Sequence, residues 1–102
     1  MSEIPAGELL PSDRLREMVL DGEVTQLHRG DEHASNGDTF DIGGTTFEVT
    51  EVETERLSDL SDEDARAEGS SDLESYKQRI ERTHGTEWDD DRTAVLHRFE
   101  RR

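Results

Sequence analysis

Residues 60–76, LSDEDARAEGSSDLESY, write two capped helices around one glycine and leave a carboxylate, Glu68, where helix physics disfavours it. Ser61 is a natural N-cap, Asp64 three residues later stands in for the Glu of a capping box, and Gly69 can take the left-handed conformation that ends a helix. The spacing predicts a short helix over about 62–68. Ser71 and Glu74 form a second S-x-x-E start, after which Leu73, Tyr76 and Ile80 recur at helical spacing to about His84. Glu68 thus falls in the last turn of the first helix, where the macrodipole is negative and an anion is unfavourable by ~0.3–1 kcal/mol. A carboxylate there calls for a partner, a metal or a task.

Upstream, residues 1–11 carry Pro5, Gly7 and Pro11 and read as an N-terminal arm whose Leu9 and Leu10 dock on the body and whose tip is mobile. Ser12 caps a helix over 13–21 with Leu15, Met18 and Val19 on one stripe and Gly22 as its stop. Residues 24–29 alternate as a strand, with Val24, Gln26 and His28 on one face and Thr25, Leu27 and Arg29 on the other, and the pattern leaves open which face is buried. A polar loop, 30–37, leads to strands 39–42 and 45–53 around Gly43-Gly44, a two-residue hairpin signal. Val52 breaks the alternation by one and predicts a bulge near Thr50-Glu51. Downstream of the two helices, 86–92 is an acidic loop carrying Trp88, and 93–99 a last strand. The order implies an α+β fold in which a small, bent mixed sheet approaches a pseudo-β-barrel with flanking helices, since closure or helix cover is how a four-stranded sheet hides its edges. Residues 12–100 then form one domain, and 101–102 are a tail.

Composition sets limits on function. The 102 residues include 27 Asp or Glu against 12 Lys or Arg, a net charge of −15, and only 28% are hydrophobic. That balance borders on intrinsic disorder, yet periodicity, caps and turn residues agree with one another, which predicts a folded domain with a thin core. Lys77 is the single lysine among the basic residues, and the acids spread over the whole length. This resembles the habit of proteins from extreme halophiles: at about 1 M salt the Debye length is about 3 Å and self-repulsion among carboxylates is largely screened. No cysteine is present, so thiolate metal sites, thiol nucleophiles and disulfides are excluded. No signal peptide or membrane-spanning run is legible, and the expectation is a soluble, cytoplasmic protein without a membrane partner.

Three segments resemble the ASCH domain family of the PUA-like superfamily: LREMVLDGEVTQLHRGD, the hairpin NGDTFDIGGTTFEVTEV, and LSDEDARAEG followed by DLESYKQRIE and the closing HRFE. They span about 12–100 in the family's order, and the acid-rich run ending in Glu-Gly is the most specific of them. The resemblance implies a haloarchaeal-type PUA-like pseudo-barrel with a cleft and a role with RNA or nucleotides. Some members hydrolyse acetylcytidine, and ribonuclease activity is reported for others. The family's cleft motif, Gly-x-Lys-x-x-Glu-x-Arg, falls on Gly22, Val24, Leu27 and Arg29. Val24 stands where the lysine would be, and Leu27 occupies the position of both the acid and the threonine nucleophile of the hydrolases. Only the acid/base glutamate remains, as Glu68. Without amine or hydroxyl, acyl transfer by that route has neither activator nor nucleophile.

The leading expectation is therefore an RNA- or nucleotide-binding module with no cofactor and no confident catalytic residue, its cleft lying between strand 24–29 and the Glu68-Gly69 corner. Thr25, Gln26, His28, Arg29 and Glu68 are its candidate ligand-binding residues, with Arg29 able to bind phosphate through its planar fork or to pair with Glu68. The alternatives are an RNA or nucleoside hydrolase with Glu68 as general base, and a protein-interaction module whose groove Val24 and Leu27 have made apolar. His33, His84 and His97 lack metal-ligand spacing, and no metal is expected. Tyr76 reads as core or as a base-stacking ring, Trp88 as a cover or a stacking ring, and His97, Arg98, Arg101 and Arg102 as a salt-bridging strand and tail or a phosphate contact.

Overall fold

The Gly43-Gly44 turn, with both glycines at positive φ, joins β2 (Thr39–Ile42) to β3 (Thr45–Arg56), and the long second strand carries the rest of the sheet. The computed structural model describes residues 2–85 and 87–102, leaving aside the side chain of His84. Thr86, the first residue of the expected acidic loop, and the His84 imidazole weighed as a metal ligand lie outside the described residues. Among the described elements, α1 (Ala6–Leu9) and α2 (Asp13–Leu20) precede β1 (Gln26–Arg29). A 3-10 turn (Leu57–Asp59), α3 (Asp62–Ala67), α4 (Leu73–His84) and β4 (Thr93–Arg101) follow β3.

The sheet order is β1-β4-β3-β2, and all three strand pairings are antiparallel. Parallel pairing, expected of a mixed sheet, is confined to an isolated bridge between Glu3 and Thr39. The register of β3 on β4 slips between Val49 and Glu51, the one-residue bulge that the displaced Val52 announces, and extra twist at such a bulge helps to curl the sheet. One face of the sheet is apolar. Phe40 stacks on Phe47 with centroids 5.5 Å apart, and Phe99 meets both edge-on. Leu9, Leu10, Val19, Val24, Leu27 and Val49 complete this core, each fully buried aliphatic or aromatic side chain contributing about 1.5–3 kcal/mol. The other face is covered by α3 and α4, where Leu60, Ala65 and Tyr76 form a second, smaller cluster with Trp88 packed against it.

From Ser2 onward the arm is hydrogen-bonded to the body; Met1, the tip expected to be mobile, lies outside the described residues. Ser2 N–H donates to the Asp38 carboxylate at 3.0 Å, Thr39 N–H to Ser2 O at 2.8 Å, and Ile4 N–H to Thr39 O at 2.8 Å. Leu9 and Leu10 are fully buried. The arm supplies edge cover for β2, which a polar composition with two prolines does not reveal.

Ser61 caps α3 in a full capping box with Asp64. Capping of α4 differs from expectation: the Asp72 carboxylate, not the Ser71 hydroxyl, accepts from Ser75 N–H, at 2.8 Å. Leu73 N–H donates to Asp62 at 2.9 Å, so the α3 carboxylate also satisfies the start of α4. Gly69 at φ 89° makes the bend between the helices, and a Cβ there would collide with the tip of Met18 and approach Val24 Cγ2 to 3.2 Å. That close approach presses the α3–α4 corner against α2.

Candidate functional site

Glu68 ends α3 as its C-cap residue, and its carboxylate turns inward beneath β1 with no exposed surface. The donors that surround it come from two elements, β1 and α4. His28 N–H and the Tyr76 hydroxyl each donate to Oε1 at 3.0 Å. Gln26 Nε2 donates to Oε2 at 3.3 Å, and His28 Nδ1 lies 2.6 Å from the same oxygen. Arg79 reaches the Glu68 carbonyl at 3.2 Å, placing a cation at the helix C-terminus where the dipole favours one. The unfavourable acid of the last turn thus has its partners, and they are side chains of the fold.

His28 extends the cluster. Its Nε2 lies 2.8 Å from Glu55 Oε1 on β3, so the imidazole bridges two carboxylates. Burial pushes the His28 pKa down, but the hydrogen bonds and charges of Glu68 and then Glu55 outweigh it and hold it above the ordinary histidine value. Burial and the charge of Glu68 push the Tyr76 hydroxyl strongly up, which keeps it a donor. Burial also raises Asp64, but hydrogen bonds from Gln26 and Ser61 bring it below the usual aspartate value. No buried side-chain donor or acceptor among the described residues lacks a partner. A buried charge cluster of this kind is costly to break once formed.

Strand and corner meet directly where a cleft was expected. Val24 forms an antiparallel bridge with Glu68, and Thr25 N–H donates to Ala67 O at 2.8 Å. Arg29 does not approach Glu68: it lies on the opposite face of β1, where Nη1 donates to Leu9 O at 2.8 Å and holds the arm. β1 begins only at Gln26, because residues 24 and 25 pair with the helix corner, and Val24 consequently joins Leu27 in the apolar core. Gln26 and His28 are both buried, while Thr25 is exposed. Thr25 and Gln26 line a pocket of about 530 Å³ whose charges are mixed, with Arg98 and Arg101 beside Asp21 and Glu100.

Another opening beside β1 lies between α2 and α4. It is a groove of about 480 Å³, within the usual range for ligand pockets, with Leu15, Met18, Leu27 and Ile80 as apolar lining and His28 on its wall. Arg14, Arg29 and Arg79 line it and no acid does. Among the described residues none of these three arginines pairs with a carboxylate, whereas Arg16, Arg98 and Arg102 pair with Asp13, Glu51 and Glu48. In a chain of net charge −15, such a surface is a local inversion of sign.

The remaining candidates are structural in their contacts. His97 is fully buried, its pKa held down first by burial, and its Nε2 accepts from His33 N–H at 3.1 Å. Arg98 and Arg102 make the ion pairs named above, and Arg101 donates to Leu20 O at 2.6 Å. Among the described residues no three His, Asp or Glu side chains are grouped to hold a metal ion, and no helix is long and apolar enough to cross a membrane.

No family model matches the sequence, and no curated protein does. Solved structures do. An ASCH domain from Lactobacillus crispatus JV V101 is similar over 98% of this chain and 78% of its own, with a TM-score of 0.68 at 17% identity. The chain has the fold of an ASCH domain. A protein from Enterococcus faecalis V583 described by the family model DUF984 is similar over 99% of this chain and 75% of its own, with a TM-score of 0.57 at 18% identity.

Within this ASCH fold, the motif positions Val24 and Leu27 are both packed into the apolar core, so neither side chain offers a nucleophile or an amine. Sequence reasoning did not single out Arg14 or Arg79. A signal for Arg14 existed: it stands in the first turn of α2, where the dipole disfavours a cation. It mirrors the anomaly that drew attention to Glu68. For Arg79 the sequence carries no such mark, since its role depends on α4 packing beside β1.

Proposed function

We propose that the protein is an RNA- or nucleotide-binding module of the ASCH domain family, and that its ligand lies in the groove between α2 and α4. The observation that carries this reading is the presence of Arg14, Arg29 and Arg79, and no acid, around a groove of ligand size in a strongly acidic chain. Guanidinium groups form short, directional hydrogen bonds to phosphate oxygens. Such bonds suit a protein adapted to molar salt, where release of counterions contributes little to affinity. The acidic, lysine-poor composition supports that haloarchaeal-type adaptation, and a cytoplasm rich in salt is its natural setting.

In this reading Arg29 touches the ligand from the groove wall. His28, its ring sealed between Glu68 and Glu55, and Gln26, bonded to Asp64 and Glu68, hold β1 in place behind the groove, and Thr25 lies at the opposite end of the strand. Glu68 as general base is disfavoured, because its oxygens are occupied by four donor contacts and have no exposed surface. The test is binding of single-stranded RNA in molar KCl. Arg14→Glu, an exposed position, lowers the affinity at least tenfold without lowering the melting temperature; unchanged affinity sinks the groove assignment.

A further inference from the structure

A second, smaller pocket of about 130 Å³ adjoins the arginine groove, sharing His28, Arg29, Gly30 and Ile80 with it. It lies well below the roughly 300–1,000 Å³ of a complete ligand site, so it can receive one end of a ligand whose remainder occupies the groove. Its lining differs in kind. Leu57, Tyr76, Ile80 and Trp88 give it an apolar and aromatic wall, while Glu87 and Asp89 bring acceptors and Arg92 a donor to it. The Trp88 ring is held in place by several contacts. Its Nε1–H donates to Asp90 at 2.7 Å, its backbone N–H donates to Glu81 at 2.8 Å, and Tyr76 meets it at 78° with centroids 6.0 Å apart.

Guanidinium groups beside a fixed aromatic pocket with both hydrogen-bonding polarities match a phosphate joined to a flat, polar-edged ring. We infer that the site takes a nucleoside monophosphate unit, its phosphate on Arg14, Arg29 and Arg79 and its base in the pocket beside Trp88. This rests on the groove reading above and adds to it a base subsite. The unit can arrive as a free mononucleotide or as part of a single-stranded RNA, and the two share this chemistry. Pre-fixed rings lower the ordering cost of binding, and stacking on an aromatic side chain tolerates any base.

Trp88 is the only tryptophan in the chain, so its fluorescence reports the subsite directly. The probes are uridine 5′-monophosphate, ribose 5-phosphate and a single-stranded oligouridine, each titrated in molar KCl. Uridine monophosphate or the oligonucleotide quenches Trp88 saturably, and ribose 5-phosphate binds about tenfold more weakly without changing the emission. Quenching by the oligonucleotide alone identifies RNA as the source, and quenching by both identifies the mononucleotide unit as sufficient. Affinities of ribose 5-phosphate and of the Trp88 variants are read by titration calorimetry: Trp88→Ala weakens the base-bearing ligand about tenfold and leaves ribose 5-phosphate unaffected, and Trp88→Phe, which keeps a ring, restores most of the affinity. Arg14→Glu weakens all ligands alike. Base-bearing ligands that bind no better than ribose 5-phosphate, or equal affinity in Trp88→Ala, overturn the base subsite while the groove stands if Arg14→Glu still weakens binding. Indifference to Arg14→Glu, or no binding of any probe, overturns both.

Discussion

Two regions flank β1, and they treat charge in opposite ways. Beneath the strand, Glu68, His28 and Glu55 form a chain of ionisable groups whose central members are sealed from water. Beside it, Arg14, Arg29 and Arg79 line an open groove without a carboxylate partner among the described residues. In a chain with 27 acids, an acid at an unusual position is the more conspicuous feature of the sequence, yet this one is committed to holding α3, α4 and β1 together. Basic residues that share a groove with no acid in its lining are the better guide to a ligand.

The contrast can be broken first at Glu68. Glu68→Ala leaves His28 Nδ1 and the Tyr76 hydroxyl buried without their acceptor, and the Gln26 amide with Asp64 alone. Losing one partner of a buried pair costs about 3–5 kcal/mol, a large part of the roughly 5–15 kcal/mol that holds such a domain folded. Denaturant unfolding should show that loss, and a cost below about 1 kcal/mol would mean the cluster is not sealed. A smaller effect is expected at Gly69. Gly69→Ala sets a β-carbon at positive φ against Met18 and Val24 and should cost about 1–3 kcal/mol. An unchanged melting temperature would show that α2 is not pressed on the corner.

Acidity offers a finer probe. His28 has its pKa raised in the folded state, so its stabilisation is complete below the unfolded value of 6.5 and is lost as pH rises through the raised value. His97 has its pKa lowered by burial, so its stabilisation is complete above 6.5 and is lost as pH falls towards the lowered value. Stability should therefore decline on both sides, with His28→Gln flattening the alkaline limb and His97→Gln the acid limb. Melting curves across pH that keep both slopes in both variants would contradict this division. Smallest of all is the cap of α4: Asp72→Ala should lower the melting temperature more than Ser71→Ala, and the reverse order would restore the capping box read from Ser71 and Glu74.

Much of the fold was legible because its signals are local. Ser61, Asp64 and Gly69 act within one turn of the helix they bound, Gly43-Gly44 lies inside its hairpin, and the bulge shows as a single slip in the alternation at Val52. The difference at Ser71 has an equally local cause, since Asp72 beside it competes for the same role and takes it with a charged contact. The site was legible only as a question. Glu68 was marked as an acid in need of a partner, but His28 is 40 positions away in sequence and Tyr76 approaches only because α4 folds back. Arg29 looked like the natural partner because it is the basic residue on the same short strand. Strand alternation sends it to the other face, where the Leu9 carbonyl takes it.

The division between a sealed acid and an open basic groove is tested most directly by one paired titration. Single-stranded RNA is titrated in molar KCl into Arg14→Glu and into Glu68→Gln, each first verified as folded by near-ultraviolet circular dichroism. The expected result is at least a tenfold loss of affinity, about 1.4 kcal/mol, in Arg14→Glu, and affinity close to that of the unaltered protein in Glu68→Gln. Binding that survives Arg14→Glu and disappears in Glu68→Gln would contradict it.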